Sequence, residues 1–88
     1  MKLLKFSASW CQPCKTLANL LSAVELPCDI EEIDIDTDHD TPASFMVRGV
    51  PTLVAVDDNG TEIDRMVGAT SAQALSNWLT AISLKAAA

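Results

Sequence analysis

Eighty-eight residues are enough for one domain, residues 1–88, because two cores would leave each half too small to stabilise itself. With 49% hydrophobic residues the chain has enough apolar surface to bury a core, which excludes an intrinsically disordered class. A formal net charge of −6 argues against a nucleic-acid surface, which needs clustered Lys and Arg, and reads first as a solubility device.

The opening segment has no sustained apolar stretch of signal-peptide length, because Lys5 interrupts it after Leu3 and Leu4. Leu3, Leu4 and Phe6 read as a first strand. After Cys11, the spacing of Leu17, Leu20, Leu21 and Val24 predicts a helix, ended by Pro27. Ile33 and Ile35 alternate with Asp34 and Asp36, as a strand with one wet face does. Asp40-Thr41-Pro42 reads as a helix start, with a capping side chain before a proline in the first turn, and the short helix is expected to run to about Val47. Val50 to Val56 reads as a strand. Asp58-Asn59-Gly60 is a hairpin signal, with Ile63 to Val67 as the partner strand. Thr70 or Ser71 is expected to cap a last helix whose Leu75, Trp78, Leu79 and Ile82 form its apolar stripe, which makes Trp78 a core residue. The closing Ala86–Ala88 reads as a frayed tail.

The order is β-α-β-α-β-β-α, an α/β class. The opening β-α-β unit demands parallel strands and a crossover, while the hairpin adds antiparallel ones. A mixed four-stranded sheet with helices on its faces follows. No apolar run is long enough to span a membrane, and no basic run suits an anionic membrane surface. Three cysteines, two of them in C-x-x-C, make a poor secreted disulfide framework and point to a reducing cytoplasm.

The chemistry centres on Cys11-Gln12-Pro13-Cys14, between the first strand and the first helix. Two intervening residues bring both sulfurs within bonding distance when a helical turn begins there. Cys11 then occupies the helix N-terminus, where free N–H groups and the macrodipole favour a thiolate and lower its pKa from about 8.5 toward neutrality. Cys14, one turn in, is expected to be less exposed and more thiol-like. On this geometry Cys11 attacks and Cys14 resolves. A structural zinc site needs four ligands, and beyond this pair the chain has only Cys28 and His39. Asp34, Asp36, Asp38 and Asp40 lack the glycine and distal glutamate of a calcium loop. Cys28 reads as a small buried hydrophobe and His39 as a solvated loop residue.

Phe6-Ser-Ala-Ser-Trp-Cys-Gln-Pro-Cys-Lys15 resembles the thioredoxin active-site segment, in which a tryptophan precedes C-x-P-C and a lysine follows. Arg48-Gly49-Val50-Pro51-Thr52 is similar to the thioredoxin loop whose proline follows a cis peptide bond, and Met66-Val67-Gly68-Ala69 resembles the segment before the family's last helix. The resemblance implies a thioredoxin-like fold without the leading strand and helix of full-length members. It implies reduction of protein disulfides through a mixed disulfide, with electrons from a flavin-dependent thioredoxin reductase, in a monomer that needs no cofactor of its own. By matching position, Pro51 lies against the sulfurs and, with Val50, offers backbone groups to an extended substrate segment. Trp10, Gly68 and Ala69 join the substrate-facing surface, and Gln12, Pro13 and Lys15 complete the active-site segment.

Two positions depart from the family. Lys5 stands where thioredoxins place a buried aspartate that assists proton removal from the second cysteine. Its amine either points toward the sulfurs, favouring thiolate and the reduced form, or reaches water while its stem packs. Ser7 replaces a common tryptophan and thins the apolar wall beneath the site. Two other functions stay open at this point. A glutaredoxin-type exchange with glutathione is one, although the T-V-P and Gly-Gly-Asp signature is absent. A binding module that uses the fold without the thiols is the other.

Overall fold

A computed structural model describes residues 1–87. The elements are β1 (Lys2–Ser7), α1 (Gln12–Ser22), β2 (Asp29–Asp34), α2 (Asp40–Ser44), β3 (Thr52–Val56), β4 (Glu62–Val67) and α3 (Ala72–Ala87). They form one four-stranded sheet in the order β2-β1-β3-β4. β1 pairs parallel with β2, and β3 pairs antiparallel with both β1 and β4. The parallel pair needs a crossover, which α1 supplies.

The central strands β1 and β3 are buried on both faces, so their sequences LLKFS and TLVAV carry little polar alternation. The pleat divides them. Leu3, Leu53 and Ala55 face Leu17 and Leu21 of α1 and Leu75, Leu79 and Ile82 of α3. Leu4, Phe6, Ile33, Val54 and Val56 form a second core on the other face, against Phe45 and Val47 beside α2. Phe6 and Phe45 meet with ring centroids 6.2 Å apart in a tilted pair, the geometry favoured by ring quadrupoles.

The element order agrees with the reading of the sequence; several boundaries do not. α1 stops at Ser22, well before Pro27. Leu26 precedes the proline and is therefore biased to extended backbone, which takes the chain out of the helix early. Val24 satisfies the helical spacing but packs on the core from the connecting loop. α2 stops at Ser44 rather than Val47, because Met46 adopts a left-handed φ of 54°. The Met46 N–H then donates to Ala43 C=O and the Val47 N–H to Pro42 C=O, a closing motif usually built on glycine. The N-cap position of α2 is His39, which makes no side-chain cap; the Asp38 carboxylate before it accepts the Thr41 N–H at 3.0 Å and the Thr41 hydroxyl at 2.7 Å. β3 begins at Thr52, so Val50 and Pro51 precede it, joined by a cis peptide bond.

At the hairpin, Gly60 takes a φ of 80°, which its missing Cβ permits, and the Asp57 carboxylate accepts the N–H groups of Asn59 and Thr61 at 2.9 Å. Ser71, not Thr70, caps α3, accepting the Ala74 N–H at 3.1 Å. Trp78 is half-buried against the core, and its indole N–H, though near enough to Asp64 to help hold that carboxyl down, makes no aligned hydrogen bond. Ala86 and Ala87 continue α3 instead of fraying; Ala88 lies outside the described residues.

Candidate active site

β1 ends at Ser7, and the chain turns through Ala8-Ser9-Trp10 before α1 begins. The Cys11 N–H closes that turn on Ala8 C=O at 3.1 Å. Cys11 is the N-cap of α1, with extended backbone, and its Sγ accepts the Cys14 N–H at 3.2 Å. A helix start leaves N–H groups without partners, and here the sulfur takes the place that a serine or aspartate oxygen usually holds. Pro13 in the first turn has no N–H to satisfy and a φ already suited to the helix.

Cys11 and Cys14 are joined in a disulfide, with Cα atoms 5.3 Å apart. The expected contrast in exposure between them is absent: Cys11 is 4% and Cys14 3% exposed. Position in the helix distinguishes them instead. Cys11 is the cap, whereas Cys14 lines a cleft of about 390 Å³ between α1 and the sheet. Ile35 and Val50 pack around the cysteines and Ala8.

Of the other residues singled out in the sequence, Val50 packs against this pair, and Trp10, Gln12, Pro13 and Lys15 adjoin it along the chain. Trp10 is 67% exposed, with its indole N–H donating to the Asp36 carboxylate at 3.0 Å, so it is a surface aromatic and not a core one. Gln12, Pro13 and Lys15 are exposed on the first turn of α1. Pro51 is buried, and its carbonyl accepts the Gly68 N–H at 2.9 Å, tying the two loops together. One acceptor position of the Pro51 carbonyl is thus taken, whereas among the described residues the Val50 N–H and C=O have no backbone partner. Gly68 has a φ of 85°, and Ala69 beside it is exposed.

Lys5 fits neither simple picture. It is 6% exposed, with its stem packed away and its side chain lining a cleft open to solvent. Its ammonium lies 3.6 Å from the Glu32 carboxylate, its register partner on β2, and lines the same cleft as Cys14. Ser7, also in that cleft, donates its hydroxyl to Glu32 at 3.1 Å. Glu32 and Asp36 are the site neighbours that sequence reasoning missed. Both sit in an alternating acidic segment that reads as a solvated face, and only the strand register reveals their partners. Cys28 is half-buried, and burial pushes its thiol up, away from reactivity. Among the described residues no group of three or more His, Cys, Asp and Glu side chains is placed to hold a metal ion. No described helix is long and apolar enough to cross a membrane.

The family model described as Thioredoxin matches residues 1–81. The chain belongs to the thioredoxin family. It is 38% identical over 72 residues to a thioredoxin of Staphylococcus haemolyticus, an alignment covering 77% of this chain and 68% of that one. It is 35% identical over 68 residues to the prophage-derived thioredoxin-like protein YosR of Bacillus subtilis, covering 77% of this chain and 82% of that one. Among solved structures, Fasciola hepatica thioredoxin superposes with a TM-score of 0.79 at 31% identity, over 91% of this chain and 78% of that one. Reduced thioredoxin of Schistosoma mansoni superposes with a TM-score of 0.74 at 28% identity, over 92% and 77%. Family membership and the Cys11–Cys14 disulfide together make this chain a thiol–disulfide oxidoreductase of protein substrates.

Proposed function

We propose that the chain works as a single-domain, monomeric, cytoplasmic reductant of protein disulfides, recharged by a flavin-dependent thioredoxin reductase. The observation that carries the mechanism is the Cys11 sulfur at the N-cap of α1, accepting the Cys14 N–H. That N–H and the helix dipole favour negative charge on Cys11 once the disulfide is reduced, so Cys11 is the attacking thiolate. Its sulfur bonds to one sulfur of the substrate disulfide, and the electron pair of the broken bond leaves on the other. Cys14 then loses its proton and attacks Cys11, re-forming the internal disulfide and releasing the second substrate thiolate.

Substrate recognition falls to the surface around the pair. Trp10 supplies an exposed aromatic face; Gln12, Pro13 and Lys15 border it on α1. The free backbone groups of Val50, held by the Pro51–Gly68 hydrogen bond and flanked by Ala69, suit an extended substrate strand.

The test is a pair of single substitutions assayed on a disulfide-bonded protein. Cys11→Ser is expected to abolish reduction. Cys14→Ser is expected to accumulate a covalent adduct through Cys11 that dissolves in dithiothreitol. Undiminished turnover by Cys14→Ser contradicts the two-thiol cycle, and efficient turnover driven by glutathione with glutathione reductase replaces the reductase reading with a glutaredoxin-type one.

A further inference from the structure

A charged residue packed into a central strand is costly unless it is paired or solvated, and the pair here is lopsided. Lys5 is 6% exposed on the central strand, whereas the Glu32 side chain that answers it is 65% exposed on the edge strand. Water screens the carboxylate far more than the ammonium, so neutralisation inside the cleft is partial. Two other charged residues line that cleft, Lys15 from α1 and Asp34 from β2, both exposed; the Asp34 carboxylate also accepts the Asp36 N–H at 2.9 Å. Among the described residues Lys5 is therefore the one buried charged residue in the cleft that Cys14 lines.

We propose that Lys5 and Glu32 are positioning residues for Cys14, Lys5 stabilising its thiolate and Glu32 setting how much of that positive charge Cys14 feels. The inference deepens the reading above and rests on Cys14 being the resolving thiol. In the step concerned, Cys14 gives its proton to solvent in the open cleft, and its sulfur attacks Cys11 in the mixed disulfide. The Cys11–Cys14 bond forms and the Cys11–substrate bond breaks. The electron pair leaves on the substrate sulfur, which takes up a proton from solvent. The substrate is thereby reduced and the cysteine pair oxidised. Lys5 changes neither bond nor electron count; it holds the attacking sulfur in its charged form. Glu32 brings Lys5 its counter-charge and so restrains that effect.

The experiment titrates the reduced full chain by thiolate ultraviolet absorbance, in a Cys28→Ser background so that only two sulfurs report. A neighbouring dithiol loses its protons in two macroscopic steps, and the cleft acts on the second, which is governed by Cys14. Glu32→Gln is expected to raise the Cys14 thiolate fraction at fixed pH about three- to tenfold, and Lys5→Met to lower it by a similar factor. The double variant is expected to match Lys5→Met, because Glu32 acts through Lys5. An unmoved second step in Glu32→Gln overturns the inference, as does the same displacement with and without Lys5. Glu32 is exposed, so its variant decides the question even if Lys5→Met folds poorly. Failure of the functional reading would show separately, as a parent protein that reduces no protein disulfide.

Discussion

Leu17 lies one turn beyond Cys14 on α1, is 4% exposed, and packs with Leu3, Leu53 and the α3 leucines. Leu17→Ala removes the γ-carbon and its two methyl groups from this core, a transfer loss of about 2.5 kcal/mol at about 0.8 kcal/mol per carbon. The residual cavity adds to that, because the helix and the central strands cannot collapse fully into it, giving about 3 kcal/mol. For a chain of this size the loss corresponds to a fall in melting temperature of about 15 °C. The same deletion at Leu84, which is 69% exposed, is expected to change stability by less than about 0.5 kcal/mol. Because the Leu17 contacts belong to the core and not to the disulfide, the oxidised and reduced proteins are expected to lose the same amount. The dithiol–disulfide equilibrium should then stay where it was. Urea denaturation of both redox forms measures the loss, and exchange with glutathione measures the equilibrium. A loss below about 1 kcal/mol, or one confined to a single redox form, would refute the packing argument.

Two further outcomes follow from the caps and ion pairs. Ser71→Ala is expected to cost about 1 kcal/mol by removing the α3 cap, while Thr70→Ala is expected to be nearly neutral; comparable losses in urea midpoints would show that the cap is shared. Hydrogen bonds from Arg65 hold the Glu62 carboxyl below its usual range, that from Lys85 does the same for Asp64, and those from Thr41 for Asp38. Each folded pKa lies below the unfolded one, so the unfolded chain binds more protons as the solution is acidified. Their contribution is full above about pH 5 and is lost as pH falls through about 4 and below. A urea midpoint that rises between pH 5 and pH 3 would contradict this sign.

Much of the fold was legible because short-range periodicity and topology coincide: the Leu75, Leu79, Ile82 stripe, the Asn59-Gly60 turn and the β-α-β opening each allow one arrangement. The helix ends were not. Whether α1 stops at Ser22 or Pro27 depends on how Val24 and Leu26 fold back onto the core, and α2 ends where Met46 adopts a conformation that its side chain does not advertise. At the site, the C-x-P-C segment announced itself, and the Val50-Pro51 pair stood out through its proline in an R-G-V-P-T context. The Lys5 environment could not be read locally. Its partner Glu32 arrives from a distant strand through a register that only the folded sheet defines, and in the sequence it is one more acidic residue among several.

The central claim is that Cys11 and Cys14 form one dithiol–disulfide couple. It is tested most directly by equilibrating the protein in graded glutathione buffers, trapping the thiols by alkylation and reading each cysteine by mass. The account predicts a single two-electron transition in which Cys11 and Cys14 change together while Cys28 remains a thiol. A pair that stays reduced throughout, or a Cys11–glutathione adduct that persists without forming the Cys11–Cys14 bond, would contradict it.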